Sequence, residues 1–327
     1  MIDFKKVFSE FNNKRVLIIG DAMIDAYMWG GINRMSPEAP VPIVEIQKHE
    51  TRLGGSANVA LNIQSLEAKP ILCSVIGNDM HGKLFLDLMH KSNLSTEGIL
   101  ISKKRRTTLK TRVIANEKHQ LRVDEEDTKP IELENKFINK IKEHISSCDV
   151  VIFQDYNKGT LTQNVIKEII TTANELNIPT IVDPKKINFN NYKNCTVFKP
   201  NLSEIKEGMK IDFNSNNQNE INEVTNKLLN KLQAKAILLT MSEKGISITY
   251  NKEFEYTPAF QRKIIDVSGA GDTVISVASL CLTTEMNFKI LSKLSSLAGG
   301  IVCEKVGVVP INKNKLLSEA SIFINYE

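Results

Sequence analysis

The run Arg15-Val-Leu-Ile-Ile-Gly20 limits the fold more than any other feature of the chain. It is short, β-branched and apolar throughout, so neither face can meet water, and it stops at Gly20-Asp21 with turn chemistry. That is the form of a strand buried on both faces of a parallel sheet. The form recurs at 70–77, 149–154, 179–183, 196–200 and 236–240. Between most of these runs lie segments with apolar residues at helical spacing, at 56–66, 81–91, 132–146, 163–176 and 219–232. The alternation predicts an α/β fold with a doubly wound, mainly parallel sheet and helices on both faces. At 327 residues, 42% of them hydrophobic, the chain can bury such a core.

Two stretches break the rhythm. Residues 27–48 carry Gly30, Gly31, Pro37, Pro40 and Pro42, then alternate as Pro42-Ile-Val-Glu-Ile-Gln47. Residues 107–123 alternate again, with a turn expected at Asn116-Glu117-Lys118-His119. Both predict antiparallel β excursions that leave the main sheet and form a small lid. The polar patch Asn214–Asn219 predicts a solvated loop. With no repeat and no long linker, the expectation is one domain over 1–327 with lid excursions at about 27–48 and 107–123.

Charge and cysteine usage narrow the partners. Lys plus Arg (42) against Asp plus Glu (38) leaves a net charge of +4, too small over this length to suggest a nucleic-acid partner, and Lys103-Lys-Arg-Arg106 reads as a solvated face. Cys73, Cys148, Cys195, Cys281 and Cys303 lie far apart without a Cys-x-x-Cys pair, so they are expected to be buried small hydrophobes in a reducing compartment. The N-terminus lacks an apolar signal core, and no stretch approaches the ~18 apolar residues of a membrane span, which predicts a cytoplasmic protein without a membrane partner. None of the five histidines has metal-ligand spacing to another, so neither zinc nor a His-based triad is expected.

The sharpest motif is Asp266-Val-Ser-Gly-Ala-Gly-Asp-Thr273, leading straight into the apolar helix pattern Val274–Leu282. Gly269 and Gly271 permit a sharp turn that leaves unpaired N–H groups at a helix N-terminus, an anion site by geometry and dipole. Asp272 would then sit beside a bound phosphate, where it could deprotonate a hydroxyl. The competing reading makes Asp272 a helix cap and the glycines a simple turn. A second cluster, Gly54-Gly55-Ser56-Ala57-Asn58, permits close approach to the backbone and offers the Asn58 amide to a polyol, or else is a tight loop capped by Ser56. Gly77-Asn-Asp-Met-His-Gly-Lys-Leu84 nearly spells a phosphate-binding P-loop but fails at Leu84, and reads as a strand-to-helix turn.

Ligands of open parallel sheets bind outside the carboxyl ends of the strands. Polar residues follow most of the expected strands: Asp21 and Asp25, Asp155 and Lys158, Asp183 and Lys185, Asn201 and Glu204, Thr240 and Ser242. Singly each reads as a loop residue; together with two glycine clusters they define one rim.

Taken together, the Gly54–Asn58 cluster with Cys73-Ser-Val-Ile-Gly-Asn-Asp-Met-His-Gly82, and Asp266–Thr273, resemble the two signatures of the ribokinase-like (PfkB) carbohydrate kinases. The likeness runs from Val16 to about Val309. Within the family, Gly20-Asp-Ala-Met-Ile-Asp25 and above all Arg34-Met-Ser-Pro-Glu-Ala-Pro-Val-Pro42 are similar to kinases acting on D-glycero-β-D-manno-heptose 7-phosphate. Leu121–Glu126, Asp155–Gly159, Asp183–Lys185 and Lys199–Glu204 support that likeness. The resemblance implies ATP and Mg2+ as cofactors, and transfer to the anomeric hydroxyl to give the 1,7-bisphosphate used for ADP-heptose.

The resemblance also implies roles. Asp272 is the base, and the amides of Gly269, Ala270 and Gly271 form the anion hole. Asn201, Leu202, Ser203 and Glu204, with Thr240, Ser242 and Gly245, serve the nucleotide, Glu204 reaching the metal through water. Asp25, Gly54, Gly55, Asn58 and Asp155 serve the sugar. A substrate that already carries a phosphate needs a cationic anchor, for which Arg34, Lys110, Arg112, Lys158 and Lys185 are available.

The sequence departs from the family at Glu304–Pro310, more apolar than the Gly-Thr-rich stretch expected near adenine. The chain also ends at Glu327 without an adenylyltransferase domain, so a separate adenylyltransferase is expected in the pathway. Val41, Ile43, Val44 and Ile46 give the lid apolar residues to bury, and the expected assembly is a homodimer. The alternatives are a kinase for another sugar or sugar phosphate, and a catalytically silent sugar- or nucleotide-binding regulator.

Overall fold

The computed structural model describes residues 2–324. Nine strands form the main sheet: β1 (Arg15–Gly20), β4 (Lys69–Gly77), β5 (Ile99–Ser102), β8 (Val150–Gln154), β9 (Thr180–Asp183), β10 (Val197–Phe198), β11 (Ala236–Thr240), β12 (Ile246–Tyr250) and β13 (Glu253–Thr257). Their spatial order is β13-β12-β11-β10-β9-β8-β1-β4-β5. All neighbours from β11 to β5 pair parallel, while β12 and β13 add an antiparallel hairpin at one edge. The chain steps from β1 to β4 and β5, then returns across β1 to β8. The sheet therefore reverses its winding between β1 and β8, and a crevice opens there.

The central strands are buried almost throughout, and their side chains alternate between two apolar clusters, as a sheet covered on both faces requires. Val16, Ile18, Ile152 and Leu238 join one apolar cluster with the helices Ser56–Ser65, Ala270–Cys281 and Phe288–Val302. Leu17, Ile19, Phe153 and Leu239 join a second, on the other face, with the helices Glu134–Ile145, Gln163–Glu175 and Gln218–Leu232. Helices cover both faces, as the run pattern predicts. All five cysteines are buried thiols. Among the described residues no helix is long and apolar enough to cross a membrane.

The expected strand at 196–200 is ladder-paired as β10 only over Val197–Phe198, because Pro200 has no N–H to continue it. The excursions are longer than expected, and form one sheet in the order β3-β2-β6-β7: β2 (Ala22–Met35), β3 (Pro42–Gly55), β6 (Thr108–Ala115) and β7 (Lys118–Glu125). They are not wholly antiparallel, since β2 and β6 pair parallel and join the two hairpins into one lid. The turn before β7 is confined to Asn116 and Glu117, both at positive φ, and Lys118 and His119 already belong to the strand. The Lys103–Arg106 run is not uniformly solvated: Arg105 turns inward and donates to the Lys158 carbonyl at 2.5 Å.

Candidate active site

The site sits at the carboxyl ends of β8, β9, β10 and β11, beside the N-terminus of the helix Ala270–Cys281. Gly269 caps the helix Ala270–Cys281 with φ +80, a left-handed conformation that a side chain would strain, and no side chain satisfies the first amides of that helix. Gly269, Ala270 and Gly271 line a cavity of about 810 Å³, although the Ala270 N–H donates to the Val267 carbonyl at 3.2 Å. Asp272 is not the cap. It stands in the first helical turn, buried, and its carboxylate is held by side chains: Oδ2 accepts from Asn58 Nδ2 at 2.7 Å, and Oδ1 from Gln154 Nε2 at 3.0 Å and Tyr156 O–H at 2.7 Å. Burial pushes its pKa up to about 6; the Asn58 and Tyr156 hydrogen bonds pull against that, Asp183 adds to it, and Lys199 opposes it.

Asn58 reaches Asp272 because the end of β3 turns directly into the helix Ser56–Ser65. The cap of that helix is Gly55, at φ +59, with Ser56 already helical. A Cβ on Gly55 would meet the Asp21 carbonyl at 2.5 Å, so only glycine lets lid and main sheet meet so closely. Asn62, one turn on, is buried and satisfied at both ends: Nδ2 donates to the Asn58 carbonyl, and Oδ1 accepts from the Thr273 hydroxyl and the Ile311 N–H. It ties the helix Ser56–Ser65 to the helix bearing Asp272.

A buried ion pair lies beside Gly271. Lys199 Nζ is 3.0 Å from Asp183 Oδ2, and a Cβ on Gly271 would sit 3.8 Å from that ammonium. Asn201 and Glu204 close a capping box on the helix Leu202–Met209, and Glu204 also pairs with Lys185. Burial works against the charge on Lys185, but Asp183 and Glu204 outweigh it and hold its pKa above that of an ordinary lysine.

The structure gathers many of the expected residues and disperses others. Gly269, Ala270, Gly271, Asp272, Lys185, Asn201, Glu204, Thr240, Ser242 and Gly245 all line the cavity. Leu202 and Ser203 do not, and the Ser203 hydroxyl bonds Glu207 instead. On the lid, Asp25 pairs with Arg112 at 2.5 Å and packs against Gly54. Lys110 and Lys158 share Glu126 at 3.2 and 2.7 Å, linking lid to floor.

Asp155 is buried and does not line the cavity. Its Oδ2 accepts from Tyr192 and Asn188, and burial, with Asp21 nearby, pushes its pKa up to about 6. Arg34 is nine residues beyond Asp25 along β2, about 30 Å at strand rise, with only a 3.8 Å contact to Glu45. Gln154, Tyr156, Asn62 and Lys199 were not expected. The strand-end rule reaches the first two when applied one residue either side of Asp155.

Residues 13–315 match the pfkB family carbohydrate kinase model. The bifunctional protein HldE of Helicobacter pylori (strain HPAG1) is 38% identical over 298 residues, covering 90% of this chain but only 64% of that protein's length. Phosphofructokinase-2 from Escherichia coli, solved with substrates and products, superimposes with a TM-score of 0.77 at 14% identity over 94% of this chain and 99% of its own. Ribokinase from Arabidopsis thaliana, solved with ribose and ATP, gives 0.74 at 16% identity over 94% and 99%. These two likenesses extend to the fold, with its sheet, lid and crevice, while the family model and the HldE identity carry the sequence. The chain belongs to the pfkB family of carbohydrate kinases.

Proposed function

We propose that the chain is an ATP-dependent kinase that phosphorylates the anomeric hydroxyl of D-glycero-β-D-manno-heptose 7-phosphate. The observation that carries the kinase reading is Asp272: a buried carboxylate that lines the cavity beside amides that no side chain caps, and is held by Asn58 just beyond the end of β3. The heptose reading is supported by the Arg34–Pro42 string and by identity to HldE.

In this reading the hydroxyl donates its proton to Asp272 as its oxygen bonds the γ-phosphorus, and the bond from that phosphorus to the β–γ bridging oxygen breaks. ADP leaves with the electron pair. The amides of Gly269 and Gly271 and the Lys199 ammonium face the charge on the transferring group, the Ala270 N–H being engaged by the Val267 carbonyl. The cavity between Thr240, Val274 and Gly299 holds the nucleotide. Among the described residues no three His, Cys, Asp or Glu side chains could together hold a metal, and both Glu204 oxygens are engaged. Magnesium therefore fits this site as a companion of the nucleotide phosphates, with Glu204 reaching it through water. When bound it neutralises phosphate charge.

The proposal includes a cytoplasmic setting and a homodimer. The lid leaves Met35, Val41, Ile46, Leu121 and Val123 exposed for a second copy, which sedimentation would detect. Magnesium-dependent ADP release, assayed with a panel of sugars and sugar phosphates, tests the rest. The expected outcome is the highest kcat/KM with heptose 7-phosphate. Equal turnover of unphosphorylated heptose, or better turnover of a hexose phosphate, would overturn the heptose assignment.

A further inference from the structure

Three side chains converge on one carboxylate, Asn58 from the helix Ser56–Ser65 and Gln154 and Tyr156 from the end of β8. We propose that Tyr156, together with Gln154, is a positioning residue that locks Asp272 in one orientation and leaves a single acceptor position, on Oδ2, for the incoming hydroxyl. This inference rests on the reading of Asp272 as the base.

An ionised carboxylate accepts about four hydrogen bonds, two at each oxygen. Oδ1 is filled by the Gln154 amide and the Tyr156 hydroxyl, and Oδ2 carries Asn58 alone. The one remaining position therefore lies on the oxygen nearer the helix Ser56–Ser65 and the lid. Neither donor to Oδ1 can drift. Tyr156 opens a loop whose backbone is clamped by the buried Asp21: its own N–H and that of Lys158 donate to Asp21 Oδ2 at 2.8 and 3.0 Å, and Thr160 N–H donates to Oδ1 at 3.1 Å. Gln154 is the last residue of β8, and its amide also reaches Asp183 Oδ2 at 3.4 Å, so two acidic groups fix which way it faces. The ionisable neighbours of Asp272 are Tyr156, Asp183 and Lys199, with the Lys185 ammonium over the Tyr156 ring at 6.0 Å.

The positioning role makes a demand that mere packing does not. A hydroxyl donating to the carboxylate favours its ionised form, so deleting that hydroxyl makes Asp272 harder to deprotonate. Tyr156→Phe keeps the ring, its place under Lys185 and the loop. In kcat/KM against pH, measured with the acceptor that best supports ADP release, the acid limb near pH 6 should move up by about one unit. The kcat on the high-pH plateau should fall about tenfold, with KM for ATP unchanged. Gln154→Met removes the other Oδ1 donor and should move the limb the same way.

An acid limb within about a third of a unit of wild type in both variants, or one that moves down, would overturn the inference. An Asp272→Asn protein that keeps its activity would instead overturn the base assignment beneath it, so the two failures are told apart.

Discussion

The two walls of the site are held by opposite means. On the main-sheet wall, Asp272, Asn58, Asn62 and Gln154 are buried and bonded mostly to neutral donors and acceptors, on strand ends and helices packed from both sides. On the lid wall the same work falls to ion pairs within reach of water: Asp25 with Arg112, Arg52 with Glu50, Lys110 with Asp124 and Glu126, Lys158 with Glu126. A buried network around the Asp272 carboxylate and the Lys199–Asp183 pair is costly to break and fixes geometry, whereas more exposed charge pairs exchange readily for a charged ligand. On the proposed function, the first wall carries the chemistry and the second selects the sugar phosphate. Kinetically, damage to the first should appear in kcat and damage to the second in KM.

The largest effect is expected on the main-sheet wall. Asp272→Asn should lower kcat by about 10²–10⁴ while nucleotide binding persists, as a lost general base requires. Stability should change little. A carboxyl whose folded pKa of about 6 exceeds its unfolded value stabilises the fold only at low pH and loses that contribution as pH rises through 6. At pH 8 the Asn variant is therefore relieved of a buried charge, although its amide now faces that of Asn58. A Tm within a few degrees of wild type, with more than about a tenth of the original kcat, would place the chemistry elsewhere.

The lid wall should respond in the other parameter. Lys158→Met and Lys110→Met each remove one of the two ammonium groups that share Glu126, and a charge-assisted contact contributes roughly 1.5–3 kcal/mol. KM for the sugar phosphate should rise about ten- to a hundredfold, with KM for ATP unchanged. A fall in kcat instead, at constant KM, would erase the distinction between the walls. Glu204→Gln is expected to do less. Gln can keep the capping box while losing the charge near the nucleotide phosphates, so KM for magnesium-ATP should rise no more than about tenfold and the sugar KM should hold. Magnesium dependence identical to wild type would remove Glu204 from the nucleotide site.

The main-sheet wall was also the more legible of the two in the sequence. A strand buried on both faces must be an unbroken apolar run, and a ligand rim must follow it, so β1, β4, β8, β9 and β11 with Asn201 and Thr240 could be placed from pattern alone, while the glycine motif located Asp272 but left base and cap open. Side-chain direction could not. Asp155 carries the same strand-end signature as its neighbours, yet points to Asn188 and Tyr192, while Tyr156 beside it reaches Asp272. Half-exposed strands signal weakly, which is why β2 and β3 outrun the expected excursion. The parallel pairing of β2 with β6 is a contact between distant segments that no local pattern records.

Arg34 gives the smallest effect and the cleanest test of where the lid wall ends. The sequence makes it an available phosphate anchor because it opens the Arg34–Pro42 string, and charge alone cannot rank it below Lys110 or Lys158. Strand geometry can. Each residue advances a strand by about 3.3 Å, so the nine residues from Asp25 carry Arg34 to the far end of β2, where it meets Ile43 in the ladder and has only exposed Glu45 for a partner. Exposed pairs of this kind contribute little, and a surface substitution away from packed groups usually changes stability by no more than about 0.5 kcal/mol. Arg34→Ala should therefore leave kcat and both KM values within about twofold of wild type, well inside the tenfold step that a lost charge-assisted contact produces. A rise in sugar-phosphate KM matching that of Lys158→Met would mean that the lid tip reaches a bound substrate. The selecting wall would then extend beyond the Asp25–Arg112 pair to the whole length of β2.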